Sequence, residues 1–147
     1  MSARGLKRSV SFVIRHRDRP GVVLAVRRPS DDEDLPDAWG LPAGSLREGE
    51  SWADAVRRAG REKMGVELEV GDVLEEGSIE RASYTLHMRM YEASVVGGVP
   101  SVPQASADVT QYGALDWASA DVFVPAAQAG SLCCRLYLRH AGREGAR

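Results

Sequence analysis

At 147 residues, 44% hydrophobic and 27% charged, the chain is sized and composed for one globular domain over residues 1–147 with a sizeable core. A formal net charge of -2 lacks the basic excess of a general nucleic-acid or membrane-surface binder, so neither partner is expected. No apolar run approaches the roughly 18 residues of a spanning helix, the N-terminal apolar stretch is too short for a signal peptide, and Cys133 and Cys134 are neighbours that close no useful loop. A cytoplasmic location is the expectation.

In chain order, residues 9–16 (SVSFVIRH) alternate and are β-branched, and residues 21–28 (GVVLAVRR) follow a turn-like RDRPG, which predicts an antiparallel pair of strands. Residues 28–38 form an acidic, proline-marked loop that reads as solvated surface, with metal recruitment the minority reading. After a helix discussed below come a short strand over 66–70 and a long one over 84–96, with Leu86, Met88 and Met90 on one face and His87, Arg89 and Tyr91 on the other. Residues 97–106 have the glycine and proline density of a loop. YGALDWASAD, from Tyr112, gives a last strand running into a turn, and residues 129–140 a final helix. Strands interleaved with two helices predict an α/β or α+β sandwich.

The central helix begins after Ser51, a good N-cap with Asp54 three residues on, and ends at Gly65. At about 100° per residue, Ala53, Val56, Gly60 and Met64 share the side assigned to the core. Asp54, Arg57 and Arg61 flank it and face solvent. A third stripe carries Ala55, Arg58, Ala59, Glu62 and Lys63, of which Ala59 and Lys63 are expected to be accessible, and Gly60 costs about 1 kcal/mol against alanine unless close packing compensates.

That stripe, the preceding PAGSLREGE and the lead-in WGLPAG resemble the Nudix box, G-x5-E-x7-R-E-U-x-E-E-x-G-U with U aliphatic. Gly44, Glu50, Arg58, Glu62, Gly65 and Val66 fall in register across residues 44–66, and LDWASADV (115–122) is similar to the family's late tryptophan segment. The resemblance implies an α/β/α sandwich around a mixed sheet. It also implies hydrolysis of a nucleoside diphosphate derivative, a small-molecule partner, by water with Mg²⁺ or Mn²⁺. Oligomeric state is open, a homodimer included.

The departures are specific. Two family glutamates are Ala59 and Lys63 here, and the aliphatic position between them is Gly60. Cleaving a diphosphate needs charge neutralised on phosphate oxygens and a water activated beside them; magnesium, a hard ion, does both from oxygen ligands. By the resemblance, Glu62 and the Ala43 carbonyl are the remaining candidate metal ligands. Glu50 and Arg58 would order the site, while Lys63, Gly44 and Trp39 would face the substrate. A lysine beside a lone carboxylate predicts weak divalent affinity without nucleotide. The bland readings are an ion pair for Glu62, a structural Arg58 paired with Glu50 or Glu62, and an exposed Lys63. Trp39 and Trp52 would be anchors, His87 a packed or surface residue, and Cys133 and Cys134 buried. Glu92, Asp108 and Asp116 are available as a late acid, with nothing to choose among them. The alternative to an atypical hydrolase is a catalytically silent module of the same fold that binds a nucleotide or a protein.

Overall fold

Strand β1 (Gly5–Val13) organises the molecule because its second half, Ser9 to Val13, is buried on both faces. Val10 and Phe12 point to one side of the sheet and Ser11 and Val13 to the other, the period of two that any strand imposes. In the computed structural model, which describes residues 5–32, 34–105 and 110–145, β1 lies between β4 (Ala43–Ser45) and β6 (Tyr84–Gly97). The four-stranded sheet runs β4-β1-β6-β5, with β5 spanning Glu67–Glu80. It is mixed: β1 is parallel to β6 and antiparallel to β4, and β5 is antiparallel to β6. A smaller antiparallel sheet runs β3-β2-β7, from β3 (Trp39–Gly40), β2 (Val23–Arg27) and β7 (Ala114–Ala118).

Helix α1 (Trp52–Ala59) covers one face of the large sheet, packing Val56 with Val10, Phe12, Leu68 and Tyr91. Helix α3 (Leu132–Gly145), preceded by the short α2 (Val124–Gln128), covers the other with Leu136 and Tyr137 against Val13, Met88 and Met90. Each such buried aliphatic side chain stabilises the fold by roughly 1.5–3 kcal/mol. The result is the α/β/α sandwich of an α+β protein. No helix of the described residues is long and apolar enough to cross a membrane.

Several expectations are corrected. The first two strands pair only beside their turn, where His16 N donates to Val22 O at 2.8 Å and Leu24 N to Ile14 O at 2.9 Å. Beyond that they diverge into different sheets, since β1 is committed to β4 and β6. Strand β5 is far longer than residues 66–70. Gly71, Gly77 and the Glu75–Glu76 pair hide it from propensity, and its register shifts around Val73 break the alternation. The face of β6 that carries Tyr91 lies beneath α1.

The central helix has the expected cap, Asp54 N donating to Ser51 Oγ at 3.1 Å, and ends at Gly65 with φ of 70°. It is α-helical only to Ala59; Gly60–Met64 is a π-helical turn. Its core face is also rotated. Ala55 and Ala59 are fully buried with Val56, Gly60 and Met64, whereas Ala53 is half-exposed. The expectation that Ala59 is accessible is therefore wrong. The cause is close packing by small residues. A Cβ on Gly44 would come 3.1 Å from Ala59 Cβ, and one on Gly60 would come 2.6 Å from Leu68 Cδ1. Gly60 is thus where the helix end meets β5.

Candidate functional site

Strand β4 is an edge strand, and its register decides what its outer edge offers. Phe12 N donates to Pro42 O and Leu46 N to Arg8 O, so Ser11–Ala43 and Ser9–Ser45 are the non-hydrogen-bonded pairs of the ladder. The peptide groups of Ala43 and Ser45 therefore point away from β1 and need other partners. Both carbonyls receive a cation from the central helix: Arg58 Nη2 donates to Ser45 O at 2.6 Å, and Lys63 Nζ to Ala43 O at 2.7 Å. These two residues, five apart, reach one edge across the π-helical turn.

Tyr112, buried just before β7, completes the arrangement. Its hydroxyl accepts from Ala43 N at 2.9 Å and donates to Ala43 O at 3.1 Å, and its ring lies 5.1 Å from Lys63 Nζ in cation–π contact. The neighbouring Gln111 donates through Nε2 to Glu62 O at 3.1 Å.

Arg58 is 8% exposed and hydrogen-bonded through all three of its side-chain nitrogens. It grips Glu50 with Nε at 2.8 Å and Nη2 at 3.0 Å, and donates through Nη1 to Glu62 at 3.1 Å. Arg47 adds its backbone N to Glu50 and Nη2 to Glu62. The Arg58 hydrogen bonds hold the Glu50 carboxyl below the usual carboxylate range, against a burial effect of opposite sign. Glu50 in turn raises the Arg58 guanidinium. Both pairings foreseen for Arg58 are present together.

Lys63, half-buried, looks into a cavity of about 280 Å³ whose lining includes Lys7, Arg28, Ala43, Gly44, Arg81 and Cys133. Among the described residues one acid, Asp34, lines it. The acidic loop shapes an adjoining hollow with Asp31 and Asp32, but Asp32 is committed to Arg28 Nε at 2.9 Å and to the backbone N of Asp34 and Leu35.

Of the residues singled out in the sequence, Lys63, Gly44 and Ala43 are brought to this cavity, while Glu50, Arg58 and Glu62 form a buttress beside it. Trp39 is not brought there. It sits on β3, packs against the core beneath α3, and lines a separate hollow with Trp117. Trp52 is held between Arg89, 4.4 Å from its ring, and the edge of His87, whose own nitrogens meet Ser78 and Glu76. Cys134 is buried; Cys133 reaches the cavity wall, its thiol pulled down by hydrogen bonds from Cys134 and Ser131. Among the late acids, Glu92 pairs with Arg15 at 2.7 Å, Asp116 is exposed on β7, and Asp108 lies outside the described residues. Sequence reasoning missed Lys7, Arg28, Arg81 and Tyr112, which lie far apart in the chain and carry no motif.

The residues present do not fit a hard divalent ion. Such an ion wants about six oxygens. The Ala43 carbonyl already accepts from Lys63 and Tyr112, and Glu62 is shared by Arg58 and Arg47. Among the described residues no three His, Cys, Asp or Glu side chains group to hold a metal.

A mixed sheet lies between helices, and a glycine strand and a helix end meet at a cavity with cations in its lining, within an α/β/α sandwich. The NUDIX domain model matches residues 5–129, and the chain belongs to the Nudix family. The MutT protein from Methanosarcina mazei Go1 shares 19% identity and superposes with a TM-score of 0.68, over 97% of this chain and 95% of that one. A NUDIX hydrolase from Nitrosomonas europaea shares 21% at 0.67, over 96% and 90%. A MutT NUDIX hydrolase from Burkholderia pseudomallei shares 26% at 0.63, over 79% and 84%. No curated protein matches the chain.

Proposed function

We propose that the cavity binds a nucleoside diphosphate derivative, its diphosphate beside Lys63 and the glycine strand, and that this chain is a ligand-binding member of a hydrolase family with little turnover of its own. The observation that carries the reading is the lining. Lys7, Arg28, Lys63 and Arg81 converge from four separate segments on one cavity of about 280 Å³; among the described residues Asp34 is the one acid in its lining, and Arg28 also pairs with Asp32 beside it. Anions gain from such convergence because a wall of low dielectric screens each cation less than water does. The family membership supports a diphosphate over other anions, and an ADP-ribose pyrophosphatase from Streptococcus suis, 18% identical, has the same fold. Low turnover follows from the engaged state of Glu50 and Glu62, the two acids that match the family pattern, both held by Arg58.

Thermal-shift and phosphate-release measurements over ADP-ribose, nucleotide sugars, nucleoside triphosphates and dinucleoside polyphosphates test the reading. A stabilising shift with slow or no phosphate release is expected. Absence of any shift across the panel refutes it. Fast metal-dependent turnover abolished by Glu62→Gln would restore the hydrolase reading.

A further inference from the structure

A diphosphate needs positive charge on its oxygens, and the chain holds a cation at the very carbonyl where the family resemblance places a metal ligand. We propose that the Lys63 ammonium is the resident cation of this site, so that the diphosphate binds without a divalent metal. The inference rests on the ligand reading just given and deepens it.

The ammonium has three donors, and Ala43 O takes one at 2.7 Å. The Tyr112 ring flanks it at 5.1 Å, and among the described residues no carboxylate lies within salt-bridge distance of it. Among the described residues its charge is balanced by a carbonyl dipole and a ring face. Two N–H groups remain, on a side chain that lines the cavity. This is a prepared anion contact rather than a solvated surface lysine.

The same geometry works against a metal. A carbonyl oxygen has two lone pairs, and those of Ala43 are taken by Lys63 and by Tyr112 Oη. An ion arriving there would have to displace the lysine and then sit beside it, paying like-charge repulsion. It would find Glu62 bound to Arg58 and Arg47. The two substitutions in the box therefore read as one change. Ala59 fills core space under Gly44, and Lys63 supplies in the chain the charge that an ion would otherwise bring.

The experiment is calorimetry on the full chain with inorganic pyrophosphate and with ADP-ribose, each in EDTA and in excess Mg²⁺. Wild type is expected to bind in EDTA, and no tighter with Mg²⁺, which neutralises the ligand that Lys63 recognises. Lys63→Met should weaken binding in EDTA by roughly 10- to 100-fold, the range of one charge-assisted hydrogen bond, with Lys63→Arg recovering part of the loss. Lys63→Glu should bind only when Mg²⁺ is present. Wild-type binding that requires Mg²⁺ overturns the inference but leaves the ligand reading standing. Undiminished binding by folded Lys63→Met overturns it too, reducing the lysine to a cap on the strand edge. No binding in either buffer overturns both. Should Lys63→Met fail to fold, the wild-type comparison between EDTA and Mg²⁺ decides alone.

Discussion

Replacing Tyr112 by Phe removes one oxygen and keeps the ring, so it isolates what the hydroxyl does. That oxygen accepts from Ala43 N and donates to Ala43 O, and the register of β4 turns both groups away from β1. Without it, the Ala43 carbonyl still has Lys63, but the Ala43 N–H has no partner in a half-buried setting. A buried donor left unpaired costs about 1–3 kcal/mol, and partial access to water at Ala43 puts the expected loss near the lower half, about 1–2 kcal/mol. For a chain of this length that is a fall in Tm of about 2–8 °C. Urea and thermal unfolding of Tyr112→Phe measure it. A double-mutant cycle with Lys63→Met should show coupling of at least about 0.5 kcal/mol, since both residues share Ala43 O. A Tyr112→Phe protein as stable as wild type, with additive effects in the cycle, would mean that water or another group serves Ala43 equally well. The clamp would then have no energetic content.

Gly60→Ala gains about 1 kcal/mol of helix propensity but sets a methyl 2.6 Å from Leu68 Cδ1 and 2.9 Å from Leu68 Cγ; overpacking of about 1–3 kcal/mol should win, and a stabilised variant in denaturant melts would refute the packing. Ala59→Glu should lose about 3 kcal/mol or more, because it drives a carboxylate into a fully buried site under Gly44. Recovery of a wild-type Tm on adding Mg²⁺ to that variant would show a latent metal site. Glu50 titrates lower in the folded chain than its ordinary 4.5. Its stabilisation is therefore complete above that value and is lost as pH falls through the folded pKa. Arg58→Gln should flatten this acid slope in urea titrations run below about pH 5, and an unchanged slope would assign it to other carboxylates.

The glycine loop, the capped helix, the long hydrophobic strand and the box register are legible in the sequence because each is local: a cap, a period or a fixed spacing. What escapes is set by partners distant in the chain. The rotation that buries Ala59 depends on Gly44 being small, and a helical wheel drawn on residue polarity does not contain that fact. Strand β5 runs through Gly71, Gly77 and two adjacent glutamates because β6 offers it a full ladder. Glu75, buried at 5%, is tolerated there because Arg139 and Arg143 of α3 reach it at 2.7 and 2.6 Å. Lys63 reads as a surface residue until β4 turns the Ala43 carbonyl outward. Tyr112 has no spacing to announce it at all.

Gln111 and Tyr112 have a consequence for how the cavity can move. They are consecutive, yet one holds a carbonyl near the helix end and the other holds both the N–H and the carbonyl of Ala43 in β4. Two walls that belong to separate elements are thereby fixed to a single stretch of backbone leading into β7. Neither wall can shift without dragging that dipeptide, so opening should be all or nothing, and amide exchange at Ala43 and around Glu62 should share one rate. The pair works as a hasp, joining helix and strand through a third segment that belongs to neither.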